Sequence, residues 1–274
     1  MRSYGGRMVH IDLGTFGLTV TPGTPGAEEI EALGFGALWV NGGQLDRLER
    51  LTDLLATTRR AAVAPAIIPP DVYGPDAVVD LFGRAEVAAP GRLMIGLGSS
   101  SQPRPRAALG AYVDELGAIP RERRLLAAFG PRMLDTARDR FGGAMPGMVT
   151  PEYTAIARER LGPDRLLVVG LYAVLDTDAD AARETARVPL RFLMGMRSYV
   201  NSALRQGFSE TDIATVSDDL VDRLVAWGSA DDIAKQARRH REAGADHVYL
   251  SVLHNDTQPS GVAAARLLAP VLFG

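Results

Sequence analysis

Cysteine is absent from this chain of 274 residues, which excludes disulfide bonds, thiolate metal sites and cysteine nucleophiles. Lysine is almost absent as well, because Lys235 is the only one and arginine carries the rest of the positive charge. Lys235 lies in a polar stretch with helical spacing. A lysine that forms a Schiff base needs an apolar pocket, so most mechanisms of that class are excluded.

Long apolar runs and a basic excess are also missing. No run approaches the roughly 20 residues of a membrane-spanning helix, and residues 1–14 lack the apolar core of a signal peptide. The 30 basic and 33 acidic residues give a net charge of −3, without the basic stripe of a nucleic-acid-binding protein. We therefore expect a cytoplasmic globular protein with a small-molecule substrate and without nucleic-acid or membrane partners. Its oligomeric state stays open, with a homodimer as one alternative.

Short apolar segments alternate with longer amphipathic ones, which is typical of βα units around a parallel sheet. Some of the apolar segments are continuous, as expected of strands buried on both faces. Eight strands are predicted: Val9–Phe16, Gly36–Asn41, Ala61–Ile68, Arg92–Gly98, Arg124–Phe129, Ala144–Val149, Leu166–Val174 and His247–Leu253. The predicted helices are Pro25–Leu33, Leu45–Thr58, Asp76–Ala88, Pro131–Arg140, Ser229–Ala243 and Ser260–Leu268.

Eight such units predict an α/β fold, a (β/α)₈ TIM barrel that forms one domain over residues 1–274. The stretch 179–227 is predicted to be an excursion with two or three helices and no strand between them. In such barrels the active site lies at the carboxyl ends of the strands. We therefore expect the site at Thr15–Gly17 on the first strand and at the corresponding ends of the other seven.

The segment LLAAFGPRMLDTA, residues 125–137, carries the clearest chemical signal. An apolar strand runs into Gly130, and Pro131 then begins a helix, a position where its missing N–H costs nothing. The free N–H groups of the first helical turn and the charge of Arg132 predict an anion site. A plain strand–turn–helix connection is the structural alternative.

This segment resembles the phosphate-binding turn of the luciferase-like oxidoreductases that use coenzyme F420. Further segments match that family in order: LGFGALWV (33–40), PGRLMIGLG (90–98), VTPEYT (149–154), YVNSALRQGFSETDI (199–213) and LVAWGSADDIAKQARRHREAGADHV (224–248). The matches cover nearly the whole chain. The chain is therefore similar to the luciferase-like monooxygenase superfamily, closest to its F420-dependent branch.

The resemblance implies that the cofactor phosphate lies near Ala128–Gly130 and that the deazaflavin ring lies against strands three and four. It also implies a cis peptide bond between Ala66 and Ile67, behind the ring. The residues that it assigns to the cofactor are Ala66, Ile67, Gly98, Ser99, Ser100, Ala128, Phe129, Gly130 and Arg132. The serines have a solvated turn as their structural alternative.

The chain departs from the family at two places. Many relatives have acidic residues or histidine where Asn41-Gly42-Gly43 stands, and many have histidine where Met145 stands. The catalytic residue is therefore unknown, with His254 and Ser99 as candidates; His254 could equally be a loop histidine in water. The residues expected to contact the substrate are Asn41, Met145, Tyr199 and Arg205.

These observations predict an F420-dependent oxidoreductase that moves a hydride between a deazaflavin and a small or medium organic substrate. A flavin mononucleotide (FMN) monooxygenase of the same superfamily is one alternative, because both cofactors present a phosphate and a tricyclic ring. A non-catalytic cofactor-binding paralogue is another, favoured by Gly42-Gly43 and Met145. No strand end carries the cluster of histidine and carboxylate that a metal would need.

Overall fold

The structure is a computed structural model that describes residues 11–98 and 105–274. Its strands are β1 (Phe16–Thr19), β2 (Ala37–Asn41), β3 (Ala62–Ala66), β4 (Ile95–Leu97), β5 (Arg124–Leu126), β6 (Gly143–Ala144), β7 (Leu166–Leu175), β8 (Val225–Gly228) and β9 (His247–Leu253). Its helices are α1 (Ala27–Ala32), α2 (Glu49–Thr57), α3 (Pro75–Ala88), α4 (Pro105–Glu115), α5 (Pro131–Arg140), α6 (Pro151–Leu161), α7 (Ala179–Met194), α8 (Arg197–Arg205), α9 (Glu210–Thr215), α10 (Asp218–Leu224), α11 (Ala230–Glu242) and α12 (Gly261–Phe273). Over the described ranges, none of these helices has the length and apolar character needed to cross a membrane.

All strand pairs are parallel, and the paired strands run in the order β3-β2-β1-β9-β7-β6-β5-β4. The two ends of this order are joined by backbone hydrogen bonds. The Met94 N–H donates to the Val63 carbonyl at 2.9 Å, and the Ile68 N–H donates to the Gly96 carbonyl at 2.8 Å. The eight strands therefore close into a ring, which confirms the predicted (β/α)₈ barrel.

The first strand begins where the sequence predicted that it would end. Gly14 has a left-handed φ of 66°, and its N–H donates to Asp12 Oδ1 at 2.8 Å, so this stretch is a turn. The prediction Val9–Phe16 is wrong, and its residues 9 and 10 lie outside the described ranges. The mouth of the barrel at β1 is consequently formed by residues 20–21, not by Thr15–Gly17.

The sixth strand is shorter than predicted. Strand β6 ends at Ala144, whereas the prediction extended from there to Val149. Pro146 has no N–H to donate to a ladder, and Met148 has a left-handed φ of 56°, so the chain leaves the sheet here.

The excursion after β7 contains four helices, α7 to α10, followed by β8. The prediction that no strand lies between the helices of this stretch is confirmed, but the helices number four rather than two or three, and the short strand β8 that follows them was not predicted. The C-terminal half of β7 pairs with β9 on one edge and with β8 on the other. Four residues directly after a helix are too few for the alternation that reveals a strand in a sequence.

Polar aromatic side chains fill the floor of the barrel. Trp39 Nε1 donates to His247 Nε2 at 3.0 Å, and His247 Nδ1 lies 2.8 Å from the Gly14 carbonyl oxygen. Tyr249 stacks on Trp39 with ring centroids 4.3 Å apart. Gly17 leaves room for the hydrogen-bonded pair of Trp39 and His247, because a Cβ there would lie 2.7 Å from His247 Nε2. Burial lowers the pKa of His247 to about 4, so its ring is neutral.

Candidate active site

A cavity of about 1000 Å³ opens at the carboxyl ends of the strands, beneath α7 and α8. Its walls are mainly apolar, and Arg132 and Arg205 are the only charged residues among the described side chains that line it. Most of the predicted site residues lie here. The cavity contains Asn41, Ala66, Ile67, Gly98, Phe129, Gly130, Arg132, Met145, Tyr199 and Arg205.

The Ala66–Ile67 segment forms one wall of this cavity, and its peptide bond is cis, as the resemblance implied. Two glycines make room for it. A Cβ on Gly42 would lie 2.7 Å from the Ile67 carbonyl oxygen, and a Cβ on Gly98 would lie 2.2 Å from Ile67 Cδ1. Gly42 therefore has a packing reason in this chain, at a place where the resemblance predicted an acidic residue or histidine.

Positive charge is concentrated at one end of the cavity. Helix α5 begins at Pro131, has no acidic residue in its first turn, and carries exposed Arg132 there. The Arg205 guanidinium lies against Gly130, where a Cβ would be 3.3 Å from it. No carboxylate in residues 11–98 or 105–274 forms a salt bridge with either arginine. Two unpaired cations at a helix N-terminus form an electropositive site.

Arg205 is held in place by main-chain carbonyl groups rather than by acids. Its Nη1 donates to the Asn201 carbonyl at 3.0 Å and more weakly to the Phe129 carbonyl at 3.4 Å. The Tyr153 hydroxyl donates to the same Phe129 carbonyl at 2.7 Å. The sequence assigned Arg205 to the substrate, whereas the structure places it at the anion site beside Gly130.

Three tyrosines line the inner part of the cavity: Tyr172, Tyr199 and Tyr249. Burial raises the pKa of Tyr199 to about 12 and also raises the pKa values of Tyr172 and Tyr249 above their usual range. All three hydroxyls are therefore protonated at neutral pH and can donate hydrogen bonds. The ring of Tyr199 also packs against Phe129, with centroids 4.8 Å apart.

Sequence reasoning missed Tyr249 and did not single out Tyr172. Both lie on strands that read as continuous apolar runs, where tyrosine is an ordinary core residue. The available signal was Gly170 beside them. A Cβ on Gly170 would lie 2.4 Å from the Tyr249 hydroxyl, so this glycine leaves room for that side chain.

Asn41 and Met145 line the cavity as predicted for substrate contacts, but neither is an acid. Asn41 Nδ2 donates to Ser251 Oγ at 3.4 Å, and this pair stands between the cavity and a second one of about 1150 Å³. His254 lies exposed on that second cavity, which also contains the carboxylates of Glu28, Asp53 and Glu184. The structure therefore brings His254 together with Asn41, which lines both cavities, but not with the other predicted residues.

The Ala128 side chain points into the main core and is fully buried, whereas its neighbour Ala127 lines the cavity. The Ala128 side chain therefore does not line the cavity, although its backbone immediately precedes Phe129 and Gly130, which do. Ser99 and Ser100 lie outside the described residues. Over the described ranges, no group of three or more histidines and carboxylates could hold a metal ion.

Comparison with known proteins adds to this geometry. No family model matches the chain, and no curated protein matches it in sequence. Solved structures do match. An F420-dependent secondary alcohol dehydrogenase, in complex with an F420–acetone adduct, is 15% identical with a TM-score of 0.71, over 95% of this chain and 99% of that one.

Two further solved structures are similar to the chain over almost its whole length. The coenzyme F420-dependent tetrahydromethanopterin reductase from Methanopyrus kandleri is 16% identical with a TM-score of 0.68, over 93% of this chain and 97% of that one. The oxygenating constituent of 3,6-diketocamphane monooxygenase from Pseudomonas putida, in complex with FMN, is 13% identical with a TM-score of 0.64, over 94% and 97%. The chain therefore has the (β/α)₈ barrel fold that its sequence predicted, and it shares this fold with these oxidoreductases.

Proposed function

We propose that the chain is an oxidoreductase that binds coenzyme F420 in the cavity beneath α7 and α8. The observation that carries the proposal is the pairing of an apolar cleft with an anion site at one end, where Arg132 and Arg205 have no carboxylate partner in the described residues. A phosphate attached to a flat, largely apolar ring system matches both parts.

The residues present fit such a group. The Ala66–Ile67 wall, Met145 and the small residue Gly98 offer an apolar surface for a ring system. Gly130 lets the Arg205 guanidinium approach the backbone, and the Arg132 N–H in the first turn of α5 adds a donor, whereas the N–H groups of Met133 and Leu134 already donate to the Gly130 carbonyl. A larger residue at position 130 would occupy the place where a phosphate meets the Arg205 guanidinium and the Arg132 N–H.

When bound, a deazaflavin supplies a hydride donor or acceptor, which leaves orientation and proton supply to the protein. The hydroxyl groups of Tyr172, Tyr199 and Tyr249 stay protonated in this cavity, and we assign hydrogen-bond donation to the substrate oxygen to Tyr172 or Tyr199. A hydroxyl with a raised pKa donates a hydrogen bond to a carbonyl oxygen and stabilises the charge that develops there. Asn41 contributes a second polar group near this place.

FMN is the second candidate cofactor, supported by the fold shared with the FMN-bound monooxygenase. F420 is preferred because the ordered sequence segments resemble the F420-dependent branch, and because the two F420-dependent enzymes superpose with higher TM-scores, 0.71 and 0.68, than the FMN-bound monooxygenase at 0.64. A cofactor-binding paralogue without activity is the third reading, favoured by Gly42 and Met145 where relatives have acidic residues or histidine.

The test is a titration of the purified protein with F420 and with FMN, followed by absorbance and fluorescence. We expect F420 to bind in the micromolar range or tighter, with FMN weaker. Tighter binding of FMN would replace the proposed cofactor. Binding of neither would contradict the proposal, and binding of F420 without reduction of any carbonyl compound would favour the non-catalytic reading.

A further inference from the structure

Helix α7 carries an apolar stripe that faces the cavity mouth rather than the core. Val188 and Phe192 on α7 are both 70% exposed, and Met196, which lies in the turn just before α8, is 37% exposed. The opposite face of α7 is buried through Ala182, Ala186 and Leu190. The helix is therefore held by one face and leaves a second apolar face open, which a helix that only covers a barrel does not need.

The stripe is continuous with the candidate active site. Phe192 and Met196 line the proposed cofactor cavity, whereas Val188 lines the adjoining cavity, and Pro189 lines both. A volume of about 1000 Å³ is at the upper end of the range of about 300–1,000 Å³ for sites of drug-sized ligands. The cavity therefore has room for a second molecule beside a tricyclic ring.

The charged residues of the cavity indicate which net charge that second molecule can carry. The described lining of the cofactor cavity contains no carboxylate, so a cationic group placed there would meet no partner, whereas Glu28, Asp53 and Glu184 lie in the adjoining cavity. The only cations in the described lining of the cofactor cavity, Arg132 and Arg205, are at the anion site, where the cofactor phosphate would take them. An anionic substrate would compete for those two side chains, whereas a neutral apolar one would not.

We infer that the substrate is an uncharged molecule whose apolar chain or ring lies along Val188, Phe192 and Met196. Its single polar reacting group then lies beside the tyrosine hydroxyls. This inference rests on the proposed function, and it specifies a hydrophobic alcohol, aldehyde or ketone rather than a sugar, an amino acid or a phosphorylated metabolite. The apolar stripe becomes covered when the substrate binds.

The experiment uses the neutral fluorescent probe N-phenyl-1-naphthylamine, displaced by straight-chain alcohols from hexanol to decanol, with and without saturating F420. Each added methylene should strengthen displacement about fourfold. Phe192→Ser should weaken decanol binding about tenfold and flatten the dependence on chain length, and Val188→Ser should act in the same direction. Val87→Ser is the matched control, because Val87 is 87% exposed on α3, and it should change nothing.

Three results would overturn the inference: no dependence on chain length, an equal effect of Val87→Ser, or tighter binding of decanoate than of decanol. Sedimentation of wild type and Phe192→Ser supplies a fourth, because dissociation of a dimer by this substitution would make the stripe a contact between two copies of the chain. The F420 titration separates the two proposals. If F420 fails to bind while the chain-length dependence persists, the proposed cofactor is wrong and the apolar site stands.

Discussion

The floor and the mouth of this barrel use polar residues in opposite ways. On the floor, both ring nitrogens of His247 have protein partners, in Trp39 and in the Gly14 carbonyl. At the mouth, the charges of Arg132 and Arg205 lack a carboxylate partner within the described residues. Polar groups whose partners are all supplied by the protein stabilise the fold, whereas incompletely paired groups beside a cavity are available to a ligand.

The largest expected effect comes from removing the two cations of the mouth. Arg132→Ala combined with Arg205→Ala should weaken F420 binding by about 100-fold or more, because each charge-assisted contact contributes about 1.5–3 kcal/mol. Both side chains are exposed, so the melting temperature should hardly change. Arg197→Ala is the control, since Arg197 is exposed at the start of α8 and does not line the cavity. Equal losses in both variants would remove the anion site.

The contribution of the barrel floor to stability should depend on pH rather than on a bound ligand. The pKa of His247 is about 4 in the folded protein, compared with 6.5 in the unfolded chain. Between pH 4 and pH 6.5 the unfolded chain therefore binds one more proton than the folded protein. This contribution to stability is present above pH 6.5 and is lost as pH falls toward 4. It should lower the free energy of unfolding by roughly 2 kcal/mol between pH 7 and pH 5. Denaturant unfolding of wild type and His247→Gln at both pH values checks this, and parallel pH profiles would contradict it.

At the mouth of the barrel, we expect the backbone around Gly42 to be packed as tightly as the residues of the floor, although the cavity that it lines is open. Gly42→Ala places a Cβ 2.7 Å from the Ile67 carbonyl oxygen and should cost about 1–3 kcal/mol of stability. Gly43→Ala is a matched control, because no atom lies within 4 Å of a Cβ there. Calorimetry that finds equal stability for the two variants would show that Gly42 does not accommodate the Ile67 backbone.

A smaller effect on F420 binding is expected at Gly130, and it can be compared with Gly74, because both glycines precede the proline that begins a helix. Gly130 precedes Pro131 at α5, and Gly74 precedes Pro75 at α3, where a Cβ meets nothing within 4 Å. Gly130→Val should displace the Arg205 guanidinium and weaken F420 binding about tenfold, because one charge-assisted contact is impaired. Gly74→Val should leave binding unchanged. The idea fails if titrations of both variants give the wild-type affinity.

The fold could be predicted largely from the sequence, because its regular parts depend on local signals. Pro131 marks the start of α5, and Ser229, the first residue of the predicted helix Ser229–Ala243, forms a reciprocal capping box with Asp232 at the start of α11. The errors occur where one residue overrides the apolar pattern. Gly14 turns the chain before β1, and Pro146 ends β6 early.

The site was less accessible to sequence reasoning, because it depends on side-chain direction and on contacts between distant segments. Ala127 faces the cavity and Ala128 the core, a difference that an apolar run does not reveal. Arg205 contacts Gly130, which lies 75 residues earlier in the sequence, and only the fold brings the two together. Tyr249 reads as core in the sequence and reaches the cavity because Gly170 leaves it room.

Amide hydrogen exchange with and without F420 tests the contrast between mouth and floor most directly. The account predicts slower exchange on cofactor addition at residues 128–133 and 197–206, where the anion site lies. It predicts no change at residues 37–40 and 247–250, which the barrel already protects. Unchanged exchange at residues 128–133 in F420-saturated protein would contradict the proposal that this end of the cavity holds the cofactor phosphate.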